Sequence, residues 1–448
     1  NFIEGNQNAN GGITATQISG NTFPTSGVMA INFPAADIST YVNVISLGSG
    51  NANSDGMLIP QKYVYSHATL DTSDYLYGGI AVLGTTTTLE GGTATAYAGV
   101  NQAIGDAQND GTETVFLGQG TYTEAIALNT AVNLVGKGAN ATTGTVLQGT
   151  DTASATAAAY SINNLYFDYG LVVSAVPTGG LTINNNNFQI GANEYGINVT
   201  DQTVTTNLSI NSNTFALNDA TALGINLPNN QITSTLAIGS NTFSGTAAGK
   251  GIYISTTNGT GASNGTINIT GNTFNATVGD AIVFEDAVNN ANSLSGATIN
   301  IYNNNNFSQT GYGIKINESN TYSGFIGATL PNTIDLHDGT NGNTNFTAAD
   351  IYGGAWYDLT GTGALLYPSI QNAENADVAA TLYIGAGTYA ENVTIDGTTI
   401  TTITGYGTPC ELASTNYLEL GKDLTISGFS ANEVRLAANG QMSDAIVA

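Results

Sequence analysis

Six times the chain writes almost the same phrase: ISGNTF from Ile18, INNNNF from Ile183, INSNTF from Ile210, IGSNTF from Ile238, ITGNTF from Ile269 and YNNNNF from Tyr302. Five copies come in one run, and their Phe188, Phe215, Phe243, Phe274 and Phe307 are spaced by 27, 28, 31 and 33 residues. A near-constant period of this size means one supersecondary unit stacked on copies of itself. Each copy carries a second phrase, such as Gly224-Ile225-Asn226-Leu227 or Gly313-Ile314-Lys315-Ile316. A third phrase leads into the next copy, such as Leu236-Ala237-Ile238 or Ile267-Asn268-Ile269. All alternate apolar with polar residues, which is the period of a half-buried strand. Gly, Asn, Ser and Thr between them supply turns. The expected fold class is all-β: a right-handed parallel β-helix, or solenoid, rising ~4.8 Å per coil.

In such a coil the inward Ile, Leu and Val stack into apolar columns. The recurring Asn186, Asn213, Asn241, Asn272 and Asn305 are read as an amide ladder at a bend, each side chain pairing with its copies along the axis. Asn also tolerates the left-handed backbone that a tight corner needs. Phe188, Phe215, Phe243, Phe274 and Phe307 are read as a second, aromatic stack. Identical residues in every coil are what stacking requires, so this reading is preferred to a ligand-binding stripe.

A longer repeat lies over the short one. Residues 98–138 and 368–407 each begin with helical spacing, predicting short capping helices near 99–109 and 369–377. Each continues through an apolar strand to Gly-Thr-Tyr-x-Glu, at Gly120, Thr121, Tyr122 and Glu124 and at Gly387, Thr388, Tyr389 and Glu391. The two motifs start 267 residues apart. This opening resembles that of the pectin-lyase-like β-helix proteins, in which the opening helix caps the first coil. The resemblance is specific for fold and carries no activity by itself. It divides the chain into 1–97, the C-terminal part of a block; 98–363, a complete block; and 364–448, the N-terminal part of a further block. Without an initiator Met or a leader, the expectation is a window on a longer tandem-repeat protein, or a subunit whose ends are completed by its neighbours, since a cut β-helix exposes strand edges.

Composition narrows the partners. The 448 residues hold 32 acids against 6 bases, a net charge of −26, yet only 8 % of residues are charged. So few cations exclude the counterion-releasing contacts of a nucleic-acid binder and the attraction to anionic membranes. The chain has no apolar run of ~18 residues, so no membrane insertion is expected. A hydrophobic fraction of 41 % with strong alternation separates it from disordered polar chains. The single Cys410 forms no internal disulfide.

Enzymes of the resembled family imply residues this chain mostly lacks. Arg435, two residues after Glu433, is its only Arg, so the complete block offers none to a lyase or an esterase. His67 and His337 stand outside any Gly-His-Gly, and Gly313-Ile314-Lys315 only partly matches the hydrolases' Arg-Ile-Lys. Glu285 and Asp286 are adjacent on a strand and point to opposite faces, so they form no dyad. One loop, DLHDGTNGN, gathers Asp335, Asp338, Asn341 and Asn343, oxygen donors that suit Ca²⁺. No other cofactor is indicated. The sequence therefore reads as a non-enzymatic, extracellular or cell-surface structural protein. Its partners are copies of itself, end to end, in a filament, sheath, surface layer or adhesin stalk. The alternative is a β-helix that binds or cleaves carbohydrate, with glycans stacking on its 22 tyrosines.

Overall fold

A computed structural model describes residues 100–437 apart from 108, 119, 201–202, 229, 256–262, 286–293, 295, 317–332, 337–341 and 360–363. Before residue 100 it describes the backbone of nine short strands. The fold is a parallel β-helix whose regular structure is nearly all strand; among the described residues it has two seven-residue α-helices, α1, Val100–Asp106, and α2, Ile370–Ala376. Among the described residues no helix is long and apolar enough to cross a membrane. By contact the chain forms two compact units, Asn1–Gln189 with Ser209–Thr214, and Ile190–Leu208 with Phe215–Ala448.

In the first unit a coil is three short strands. The strands Thr114–Leu117, Gly120–Tyr122 and Ala127–Leu128 make the first coil. Asn133–Gly136, Thr145–Leu147 and Asp151–Ala153 lie on them in parallel register and make the second. Register converts the alternation into columns: Val115, Leu134, Ile162 and Ile183 stack and are all buried. Phe167 lies on Phe188 with ring centroids 4.8 Å apart and planes 11° from parallel.

The second unit repeats the plan. Ile225, Ile252, Ile282, Ile314 and Ile351 form one inward column. Leu236, Ile267, Ile299 and Ile334 form another. Phe215, Phe243, Phe274 and Phe307 stack at 4.8, 4.9 and 5.4 Å, the spacing of paired strands. Glycine is required where these rings pass closest to the backbone: a Cβ on Gly224 would meet Gly251 O at 2.5 Å and the Phe243 ring at 2.7 Å.

The second unit also holds the passage from one block to the next. After Ile351–Tyr352, Gly353 and Gly354, with φ of 77° and 88°, turn the chain into Ala355–Trp356. That strand pairs antiparallel with Leu365–Tyr367 and, on its other edge, with Thr381–Ile384, the first strand of the new block. Leu365–Tyr367 in turn pairs antiparallel with Ile334–Asp335, a strand of the old block. Three antiparallel steps reverse the strand direction, and the new coils then add in parallel through Thr402–Gly405 and Thr425–Ser427.

Register shows that the core changes face at this joint. Ile334, Leu366 and Trp356 lie opposite one another in turn, so they share the face that covers the old core. Tyr367, Ala355 and Ile384 share the other face and belong to the new core with Ile370, Leu382, Tyr389 and Val393. In the first unit, Val44–Leu47, Ala94–Tyr97, Ile80–Leu83 and Thr114–Leu117 are joined by the same three antiparallel steps, ahead of the first Gly-Thr-Tyr-x-Glu. There too both faces of the opening strand are covered: Phe116, between the core residues Val115 and Leu117, is fully buried with them.

Candidate functional site

The repeated Asn residues are buried and hydrogen-bonded along the axis. In the second unit Asn272 Oδ1 accepts from both Asn241 N and Asn241 Nδ2, each at 3.0 Å. Asn272 Nδ2 donates to Ile238 O at 2.9 Å and to Asn305 Oδ1 at 3.1 Å. In the first unit Asn186 Nδ2 donates to Ile162 O and Asn213 Oδ1, at 2.9 and 3.1 Å. An amide puts two N–H donors and a separate oxygen acceptor on one short stem, so it can serve the coil on either side at once. The left-handed residue is not the ladder Asn but the one before it: Asn185, Ser212, Ser240, Gly271 and Asn304 have φ of 56°, 55°, 55°, 65° and 63°. The ladder position is thus reserved for hydrogen bonding, and the corner is turned one residue earlier.

Of the oxygen-rich loop, Asp338 and Asn341 lie outside the described residues. Asp335 sits half-buried in the strand Ile334–Asp335. Asn343 serves as a further rung: its Oδ1 accepts from Asn305 Nδ2 at 3.0 Å and its Nδ2 donates to Ile301 O at 2.7 Å. Among the described residues no three His, Cys, Asp or Glu gather as a cation would need.

The remaining charged candidates are engaged with neighbours. Arg435 donates to Glu433 at 2.7 Å and lies 3.6 Å from the centre of the Tyr417 ring, on an exposed strand. The Arg435 guanidinium holds the Glu433 carboxyl below its ordinary range. Lys315 pairs with Asp280 at 3.1 Å, with the rings of Tyr312 and Tyr352 at 6.0 and 5.7 Å. On the same outward row, Tyr253 donates to Glu285. His67, His337 and Asp286 lie outside the described residues. Among the described residues, the carboxylates that the sequence singled out form no facing pair, while an aromatic and ionic ridge runs along one sheet.

Gly-Thr-Tyr-x-Glu proves to be a clamp for the capping helix. Gly120 and Gly387 both take φ of 150°, open to glycine alone. Tyr122 donates to Gly118 O, and Tyr389 to Gly385 O and Gly354 O, the latter reaching back into the joint. Glu391 accepts from Ser369 Oγ, Ile370 N and Gln371 N at 2.7, 2.9 and 3.2 Å, which satisfies the free N–H groups of α2. Glu124 does the same for Val100 N and Asn101 at the start of α1. A side-chain amide then docks each helix on the coil as a strand would. Asn101 bridges Ala125 O and Ala127 N, and Gln371 bridges Thr394 O and Thr394 N.

The joint escaped the alternation pattern. Its signal was the lone Trp356 and the unbroken apolar run Ala364-Leu365-Leu366-Tyr367, the mark of a strand covered on both faces. Trp356 stacks near Tyr383 and Tyr406, with centroids at 6.2 and 5.9 Å, which seals the end of the old core. Comparison with protein-family models, with curated proteins and with solved structures finds no match.

Proposed function

We propose that the chain is a non-enzymatic structural protein of the cell surface or exterior, built from β-helical blocks joined end to end. Its place is in a filament, sheath, surface layer or adhesin stalk. The observation that carries this reading is the joint: two passages with the same three antiparallel steps, the second of which closes one stack of strands and opens the next on the opposite face. A device that lets a β-helix continue without an open edge suits a protein selected for length. The finer assignment, to the pectin-lyase-like β-helices, rests on the Gly-Thr-Tyr-x-Glu opening and its helix. The interior ladders support the same role, since identical residues in every coil serve rigidity rather than selectivity. Electron microscopy of the concentrated chain is expected to show subunits associating end to end. Discrete monomers that stay soluble at high concentration would count against assembly.

The ridge of Lys315, Asp280, Tyr312 and Tyr352 favours a second reading, a carbohydrate ligand on one outer face, because tyrosine faces stack on sugars and a lysine meets their acidic groups. Incubation with polyuronides, with and without Ca²⁺, separates the two. Unsaturated products absorbing in the ultraviolet would replace the structural reading with an enzymatic one.

A further inference from the structure

One buried carboxyl has no place in the ladder, the clamp or the joint. Asp151 is 2 % exposed and points inward, in the same column as Leu171 of the next coil. Its Oδ1 accepts from Ile126 N at 2.9 Å, while its Oδ2 has no hydrogen-bond partner. The second opening provides an internal comparison. Ala127 pairs with Thr152 as Thr394 pairs with Glu419, so Asp151 corresponds to Leu418, which is buried between Val393 and Val434. The fold accepts a leucine at this position, and the first opening carries an acid instead.

The position matters because of what Asp151 holds. Residues 124–127 form a strap between α1 and the second coil. Glu124 and Asn101 tie the strap to the helix, and Asp151 ties it to the coil through Ile126 N. Burial pushes the Asp151 carboxyl up to about 7; the Ile126 N–H opposes this, and the Glu124 charge adds to it. Glu124 is the charged group that faces it. The strand Leu171–Val173 and the described side chains of α1 carry none that titrates.

We propose that Asp151 makes the seat of α1 a pH-responsive latch, closed while the carboxyl is neutral and loosened when it ionises; the second opening, with Leu418, lacks this carboxyl. The ionised form must shed its apolar surroundings or draw in water, and it repels Glu124 across the strap. The direction follows from linkage. The folded value lies above that of the unfolded chain, so the stability Asp151 adds is fully present below about pH 4 and is lost as pH rises through about 7.

Hydrogen exchange across the two openings tests this, with rates corrected for the intrinsic effect of pH. Between pH 5.5 and 8.5 the protection of residues 100–106 and 124–127 is expected to fall about 30-fold, the ratio that linkage gives for these two pKa values. Burial also raises the Glu391 carboxyl at the second opening, so residues 370–376 carry a response of their own, which should be the same in wild type and variants. In Asp151→Leu and in Asp151→Asn the first opening should lose the Asp151 response. An unchanged response of residues 100–106 and 124–127 in either variant overturns the proposal.

Discussion

Asn272→Leu is the sharpest test of what the ladder contributes. Leucine has the same branched heavy-atom skeleton as asparagine but is larger, so the substitution removes hydrogen bonds without opening a cavity. The wild-type amide accepts from Asn241 N and Asn241 Nδ2 and donates to Ile238 O and Asn305 Oδ1. In the variant Asn241 N and Asn241 Nδ2 both lose this acceptor, and Ile238 O loses this donor. Asn305 Oδ1 keeps Asn272 N at 2.9 Å. At about 1–3 kcal/mol for a buried group left short of a partner, the cost is about 2–6 kcal/mol. The chain contains its own reference, because Leu165 stands where the next coil has Asn186. Leu165 N donates to Asn186 Oδ1 at 3.0 Å, so a leucine at that rung leaves the neighbouring amide served. In mid-ladder it does not. Repeat proteins need not unfold in one step, so the assay should resolve position as well as total stability. Urea unfolding gives the total, and hydrogen exchange on the coils around Asn241 and Asn272 gives the locality. A loss below about 0.5 kcal/mol, with exchange unchanged in those coils, would mean that the ladder only fills space, and the reasoning would fail.

Three further outcomes follow from the clamp, the joint and the second core. Glu391→Ala leaves Ile370 N and Gln371 N without their acceptor and should cost about 1–3 kcal/mol, read as lost exchange protection confined to residues 370–376. Trp356→Ala empties the end of the old core while leaving Ala355 and Tyr367 in the new one; a loss of about 3–5 kcal/mol should split unfolding into two transitions, and a single unshifted transition would refute the two-faced joint. Burial pushes the Cys410 thiol up to about 12, so thiolate reagents at pH 8 should label it only under unfolding conditions, and rapid labelling of the folded chain would contradict the packing of the second core.

How far the sequence could be read depended on whether the signal lay within one strand or between strands. The inward columns were legible, because alternation in a single segment already says which side chains share a face, and copies in series say what lies above them. Both helices were legible from apolar spacing, and they run over 100–106 and 370–376 inside the expected 99–109 and 369–377. The corner was legible only in part. Composition marks Asn as a turn residue, but which of two adjacent residues takes the left-handed backbone depends on the hydrogen bonds that the other must make. Asn343 shows the same limit. In a loop rich in Asp and Asn its amide reads as an oxygen donor, and only the neighbouring coil reveals that Asn305 already uses that oxygen.

The joint was least legible because its logic is topological. Strand direction reverses between Ile334–Asp335 and Thr381–Ile384, yet the sheet goes on growing along the same axis. Reversal alone would invert the winding sense of the coils. Moving the core to the opposite face inverts it again, so the new block winds with the same hand as the old one. The same hand is what strand chirality demands of every crossover. The two inserted strands, Ala355–Trp356 and Leu365–Tyr367, therefore pair the facing edges, cover both cores and preserve handedness. An even number of antiparallel steps would restore the strand direction, and the core would have to stay on its original face. Adding one strand to the joint or removing one should thus derange the second core even where local pairing survives. The hairpin sets the geometry of everything after it, which is why Gly353, Gly354, Trp356 and the run from Ala364 to Tyr367 carry more of this architecture than their number suggests.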